Sequence, residues 1–409
     1  MKVFLVAREH RIAPFDEPAR EAVIGGQSLT AHHDEVCRRL RLEPQRVPDL
    51  AAIPDAARPC LVWHDDLFVT RRTLRGFLRQ ARRHRGAARL ALPDSLLMQR
   101  YHLLQDLPRD DDGRWLFDLW YLPRGAVDPG LREAAAVSPP FKEIRHPVRA
   151  PRNIVGFEQY LHPVTTTVAM RIRHWVHILW ANNLMPQVRL VEHITDHPLG
   201  TLWRLLTSFG SRARLLERLT YTGRRCRIHP TARVEYSVLG DDVEVGPFAL
   251  LRGALVGSGT VIEDRADIQF TSLSPGSFVS RNSVLIMCAG YPDADMCVNG
   301  MQFALAGRRA ALTSFVRPLD LRVGAPVRVV DGDQVVPLPG HMLGPCFGHD
   351  VFVGPDVTIH PGRAIPSGCR ILPPPGNGLS HVPTDWPPGQ AGMVRDGHLI
   401  AIPEISLKP

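Results

Sequence analysis

The chain has 409 residues, room for two or three domains at roughly 100–200 residues each. Hydrophobic residues make up 44% and charged residues 22%, which excludes a globally disordered chain. The formal net charge is +8 and nearly all basic charge is arginine, since lysine stands only at Lys2, Lys142 and Lys408; that balance permits anionic ligands such as nucleotides, phosphosugars or coenzyme A without choosing among them.

Residues 1–125 alternate strand-like and helix-like runs. Val3–Val6 and Cys60–Trp63 read as buried strands, and Arg71–Arg85 carries Leu74, Phe77, Leu78 and Ala81 at helical spacing. An α/β domain is expected. Arg71, Arg72, Arg75, Arg79, Arg82, Arg83 and Arg85 crowd that helix. Little aromatic interleaving and no recognised binding motif accompany them, so a solvated face is expected and no nucleic-acid partner. The opening Met1–Glu9 is apolar too briefly for a signal peptide.

Residues 126–225 read as a linker and helical segment. The stretch 123–152 is proline-rich. Val168–Met185 is apolar over most of its circumference, which predicts a helix buried between domains rather than one lying on a membrane. A second helix carries the stripe Leu202, Leu205, Leu206, Phe209, Ala213, Leu216 and Leu219. No uncharged apolar run reaches the ~18 residues of a membrane span. The seven cysteines form no CxxC pair, which argues against a zinc site or a disulfide framework and for a reducing cytoplasm.

From Ile228 onward a repeat governs the chain. Aliphatic residues stand at Ile228, Val234, Leu239, Val245, Leu251, Val256, Ile262, Ile268, Leu273, Val279 and Leu285, in steps of six and five residues. A second run follows at Phe347, Val353, Ile359, Ile365 and Ile371, all at steps of six. Three short strands per turn would build a triangular prism with one aliphatic residue per face pointing inward. Tight corners need residues that accept positive φ, hence the nearby Gly, Asp and Asn. One coil cannot bury its own face, so several must stack. The coil is expected over 226–375, with an insertion at 289–342 that begins where Ala289–Asp293 leaves the repeat. Within the insertion, Val327–Val336 predicts a hairpin around Asp331-Gly332. Residues 376–409, following the proline run Pro373–Pro375, are expected to form an irregular tail.

The order of elements in residues 1–80 resembles the sugar-1-phosphate nucleotidyltransferases. A first strand ends near Ala7, Glu17-Pro18-Ala19 precedes Val23–Leu29 and a helix, and Val62-Trp63-His64-Asp65-Asp66 closes a later strand. The resemblance implies that Asp65 or Asp66 holds Mg²⁺. Two devices for handling phosphate are missing. Where that family has a glycine-rich loop, Ala7–Arg11 has no glycine, and where it has a lysine, Ala19 stands. A domain of this fold that has lost its activity is expected.

The repeat resembles the hexapeptide-repeat left-handed β-helix, and the left hand comes from that resemblance. Phe347-Gly348-His349-Asp350-Val351-Phe352-Val353-Gly354 is similar to a segment of the lipid A acyltransferases and of the sialic-acid and bacillosamine acetyltransferases. That likeness implies a homotrimer, an acetyl-CoA, other acyl-CoA or acyl-ACP donor, and His349 as general base. Asp350 would orient the imidazole, and His341 would face the same cleft. Gly348 stands where the second group has glutamate.

The expected architecture is therefore an α/β nucleotidyltransferase-like domain, a helical linker and an all-β left-handed parallel β-helix. The leading expectation for function is acyl transfer to a sugar or sugar nucleotide. A non-catalytic assembly or regulatory protein is the alternative. A working nucleotidyltransferase using Arg8, Arg11 and Arg20 is a weaker one.

Overall fold

The computed structural model describes residues 1–54, 59–123, 131, 134–149, 152–155, 158–206, 212–373, 383, 385–387, 390 and 392–401. Phe209 of the predicted stripe and Pro374–Pro375 of the tail lie outside them.

The N-terminal region is built on a six-stranded sheet. Its order is Ala135–Val137, Ala88–Leu92, Trp115–Leu122, Cys60–His64, Lys2–Val6 and Glu43–Val47. Lys2–Val6 runs parallel to both neighbours, while Trp115–Leu122 is antiparallel to both of its own. Val3, Phe4, Leu5 and Val6 are all buried. A strand covered on both faces reads as an unbroken apolar run rather than an alternating one. Helices Leu29–Arg39 and Arg71–His84 cover the sheet, each started by a side-chain cap, Ser28 accepting from Ala31 N and Thr70 from Thr73 N. The sheet takes in Ala135–Val137, and Ala169–Arg171 pairs with Leu67–Val69, so this unit reaches past residue 125.

The buried helix between domains is present but starts later than expected. Thr165, Thr166, Thr167 and Val168 are β-branched and favour extended chain, so Ala169–Arg171 forms a strand. The helix runs Trp175–Asp196, with the His174 side chain accepting from Val176 N. It continues beyond Met185 because its polar half is paired: Arg189 holds Glu35 at 2.7 Å, and Arg71 holds Asp196 at 2.8 Å. Its apolar half packs on the first face of the prism and on Val23–Ile24. Asn182 ties the three parts together. Its Oδ1 accepts from Gly25 N at 2.9 Å, its Nδ2 donates to Val23 O at 2.9 Å, and its main-chain O accepts from Ser272 Oγ at 2.7 Å. The predicted second helix is two, Pro198–Leu206 and Arg212–Arg218, and Leu202 and Leu206 of its stripe are exposed.

The prism follows the repeat. Two faces carry eight strands each, the third carries five and then two, and every pairing between coils is parallel. Val245, Leu251, Val256, Ile262, Ile268, Leu273, Val279 and Leu285 lie inside, and burying each such side chain is worth roughly 1.5–3 kcal/mol.

The insertion begins later than 289. Ala289–Gly290, Asp295–Met296, Met301–Gln302, Leu305–Ala306 and Ala311–Leu312 continue the coils in register. The repeat is hidden there because Gly290, Met296, Met301 and Ala306 replace the aliphatics, and the step from Met296 to Met301 is one residue short. The excursion from the coil lies between Arg317–Pro318 and Cys346–Phe347. Within it, Arg328–Asp331 pairs antiparallel with Gln334–Pro337. The tail is not wholly irregular, since Gly392–Arg395 and His398–Ala401 form a hairpin.

Candidate functional site

His349 follows Gly348 at the corner between the first and second faces. Asp350, the next residue, has φ 56° and belongs to a ladder of corner residues. Arg309 donates to both of its oxygens at 2.7 and 2.8 Å, and that hydrogen bond holds its carboxyl below the usual range. One such pair lies several coils earlier, Arg225 with Asp242. Asp350 thus serves the corner ladder, and the ring of His349 finds other partners.

Those partners come from two parts of the chain. Arg308 N donates to Nδ1 at 3.0 Å, and Nε2 lies 3.1 Å from Glu17 Oε2. A main-chain N–H can only donate, so Nδ1 carries no proton, and the ring proton sits on Nε2 and is donated to Glu17. Tyr291 Oη donates to the other oxygen, Glu17 Oε1, at 2.8 Å, and accepts from Val23 N at 3.0 Å. Burial pushes the Tyr291 phenol well above its ordinary range, so it remains a donor. Phe15 closes the cluster, its ring 5.0 Å from that of Tyr291 and 4.9 Å from that of His349. The His349 side chain is 12% exposed and that of Glu17 7%. Ser367 completes the seam. Its Oγ accepts from His349 N and donates to Pro14 O, both at 2.9 Å.

Glu17, Tyr291 and Phe15 are the members of this cluster that sequence reasoning missed. Glu17 and His349 are 332 positions apart, and no spacing rule joins them. Tyr291 did leave a signal. It occupies the step filled by Gly240, Gly257, Gly307 and Gly348 in other coils, where a large ring has no place unless something outside the prism receives it.

His341 does not join His349. Its Nδ1 lies 2.8 Å from Ala325 O, and it borders a different cavity, with Trp180, Met287 and Phe303.

Asp65 and Asp66 sit at the carboxyl end of Cys60–His64, where a cleft of about 600 Å³ opens beside Glu9, Arg11, Arg20 and Arg46. The first strand has parallel neighbours on both sides here, the place where open α/β sheets form a crevice. Asp66 accepts from Arg171 Nε at 2.9 Å, with Arg8 Nε at 3.6 Å. Asp65 accepts from Arg8 N at 2.9 Å, with Arg20 at 3.6 Å. Burial pushes the Asp65 carboxyl up, against the pull of the Arg8 N–H, and the charge of Asp66 adds to the rise. Asp118 is shared by Arg8 at 2.5 Å and Arg89 at 2.7 Å. Among the described residues no three His, Cys, Asp or Glu side chains converge as metal ligands. Magnesium needs several oxygen ligands in near-octahedral geometry, and these carboxylates already face guanidinium groups, so the arrangement does not fit it.

No helix among the described residues is long and apolar enough to cross a membrane.

No protein-family model matches the chain. Two proteins named "Bifunctional protein GlmU", from two strains of Acidithiobacillus ferrooxidans, are 28% identical over 173 residues, 40% of this chain. The match spans 35% of their length. Among solved structures, a candidate acetyltransferase from Bacillus cereus aligns with 38% of this chain and 74% of its own, at 15% identity and a TM-score of 0.16.

Proposed function

We propose that the protein is a non-catalytic assembly or regulatory protein, in which an inactive nucleotidyltransferase-like domain is fastened to a β-helix of the hexapeptide-repeat type. The observation that carries this reading is the double engagement of the His349 ring, by Arg308 N and by Glu17. A general base needs a lone pair turned toward its substrate. The Nδ1 lone pair is spent on a main-chain N–H, and Nε2 carries the proton. The Glu17–His349 pair acts instead as a clasp between the N-terminal region and the prism. The other candidate site points the same way, since arginines neutralise Asp65, Asp66 and Asp118 and Ala19 stands at the lysine position. A left-handed coil and a homotrimer belong to this reading through the resemblance of the repeat, and a cytoplasmic setting through the scattered cysteines.

A second reading is a transferase that moves an acyl group from acyl-CoA or acyl-ACP to a sugar or sugar nucleotide. It is favoured by the likeness of Phe347–Gly354 to acyltransferase segments, by the partial similarity to the GlmU proteins, and by a carboxylate beside an imidazole. In it, Glu17 takes the orienting role expected of Asp350, and the segment carrying Phe15 must lift before His349 meets a substrate.

A thermal-shift screen of the full chain separates the two. Acetyl-CoA, coenzyme A, nucleoside triphosphates and UDP-sugars are tested with and without Mg²⁺. A ligand at ~100 times its dissociation constant stabilises by roughly 2.7 kcal/mol. The assembly reading predicts no shift with either coenzyme A species, and a clear shift with acetyl-CoA overturns it.

A further inference from the structure

The helix Pro198–Leu206 follows the long helix Trp175–Asp196 after a single residue, His197. Leu199 is 82% exposed and Trp203 68%, and Leu202 and Leu206 are exposed with them. Their spacing of i, i+3, i+4 and i+7 puts all four on one face. Polar contacts pin the other face. Thr201 Oγ1 lies 3.0 Å from Tyr221 Oη, and Arg204 Nη1 donates to Thr220 O at 2.6 Å, its guanidinium 4.6 Å from the centre of the Tyr221 ring. The helix is thus held with its apolar side toward solvent. A contiguous apolar face of this kind marks an interaction surface.

Concentrated positive charge lies beside the point where this helix begins. Asp196, two residues before Pro198, is held by Arg71 at 2.8 Å and by Arg39 at 3.3 Å. Arg71 opens the helix Arg71–His84, which buries Leu74, Phe77, Leu78 and Ala81 and exposes Arg72, Arg75, Arg79, Arg82 and Arg83. That helix contains no acidic residue, and among the described residues none of the five exposed arginines has an ion-pair partner. Arg72, Arg75 and Arg79 line a groove of about 270 Å³ whose other wall is the last turns of the long helix. Its one carboxylate, Glu192, already faces Arg189 at 3.1 Å and Arg71 at 3.5 Å. Like charges three and four residues apart on a helix repel one another, so this row is kept at a cost in stability.

We propose that the apolar face and the arginine row form one interfacial surface that docks the protein on an anionic lipid bilayer. Leu199, Leu202, Trp203 and Leu206 enter the boundary between headgroups and acyl chains, and the arginines of the neighbouring helix lie over the headgroup phosphates. The combination of charge and apolar surface selects this occupant. A nucleic acid would engage the arginines and leave the leucines in water. A second copy docked through a two-fold contact would bring the arginine row toward its like-charged counterpart. Attachment is peripheral, since nine residues of helix are too few to cross a bilayer. It is independent of whether His349 is a base.

The test is flotation of the full chain with vesicles of phosphatidylcholine alone, and of phosphatidylcholine and phosphatidylglycerol in equal parts, at low and high salt. The protein is expected to float with the mixed vesicles, not with phosphatidylcholine alone, and to be released as salt screens the exposed charge. Each arginine near such a surface is worth about fivefold in binding, so Arg72→Gln, Arg75→Gln and Arg79→Gln together should weaken it at least about tenfold. Leu199→Ser with Leu202→Ser should weaken it at least about tenfold at unchanged charge. Both side chains are exposed, so Tm should stay where it was. Arg317→Gln, Arg363→Gln and Arg370→Gln remove three exposed arginines from the last coils of the prism and should change binding less than about threefold. Failure to float with the mixed vesicles overturns the proposal. So does flotation that the leucine substitutions leave unchanged, or that the distant arginines weaken as much as the near ones, which is the behaviour of net charge alone. Retention on double-stranded DNA without flotation, or self-association without flotation that Leu199→Ser abolishes, gives the surface to another occupant and overturns it too.

Discussion

Glu17 Oε2 and His349 Nε2 are 3.1 Å apart, although 332 residues of chain separate them. The carboxylate comes from a short segment that folds over the prism, and the imidazole from a corner of the prism itself. Tyr291 fills the second carboxylate oxygen, and Phe15 lies against both rings. Every polar atom of the clasp has a partner, and the bonds of Glu17 to His349 and Tyr291, of Val23 N to Tyr291 and of Ser367 to Pro14 O are lost if the two regions separate. The long helix Trp175–Asp196 adds the apolar part of the same junction.

Acid should loosen the N-terminal region before it touches the prism interior. His32, His33 and His177 are fully buried, with ring nitrogens 2.7–2.9 Å from the main-chain oxygens of Val69, Leu67 and Leu103. Burial pulls them from 6.5 to about 4, about 3 and about 3. The unfolded chain gains these protons near pH 6.5, the folded chain only far lower. Their contribution is therefore complete above about pH 6.5 and is lost as pH falls toward 4 and 3. At pH 5 each should cost about 2 kcal/mol relative to neutral pH. Urea unfolding at pH 7.5, 6.0 and 5.0 checks this, and a midpoint that does not move would refute it.

Two neighbouring glycines should behave in opposite ways. A Cβ at Gly257 would sit 2.3 Å from Pro275 N in the next coil, and backbone cannot move aside. Gly259 has φ +69°, with nothing within 4 Å of its Cβ position. Asp242 and Asp293 hold the same left-handed conformation at the matching corners. Gly257→Ala should cost more than about 3 kcal/mol by overpacking, and Gly259→Asp less than about 1 kcal/mol. Equal losses of Tm would contradict this account of the coil.

Much of this prism was legible in the sequence, and the reason is physical. Each inward position repeats the same demand, so Ile228 through Leu285 and Phe347 through Ile371 announce themselves by spacing alone. Legibility failed where the demand was met differently. Gly290 and Ala306 sit inside the coil but do not read as core, so the coils between Ala289 and Pro318 looked like an insertion. At the candidate site, His349 and Asp350 stood out because a short motif carries them. Glu17 did not, because its role depends on a tertiary contact with His349 that no local pattern encodes. Asp65 and Asp66 were visible at a strand end, but their arginine partners come from residues 8, 20 and 171.

Asp66 should prove structural. Its side chain is 4% exposed and faces Arg171 and Arg8. Asp66→Asn leaves those guanidinium groups without their counter-charge, and breaking a buried pair from one side costs about 3–5 kcal/mol. Titration of the unaltered chain with Mg²⁺ should leave Tm where it was. A rise in Tm with Mg²⁺ that Asp66→Asn abolishes would restore the carboxylates as metal ligands.

The clasp is tested most directly by the melting temperature of His349→Ala. Removal of the ring strands Glu17 Oε2 and Arg308 N, each worth roughly 1–3 kcal/mol when unpaired and buried. It also removes the contact with Phe15, worth about 0.5–1.5 kcal/mol. The account predicts a fall in Tm of at least about 3 °C. A variant that melts within 1 °C of the unaltered chain, as a catalytic base replaced without structural cost would, contradicts it.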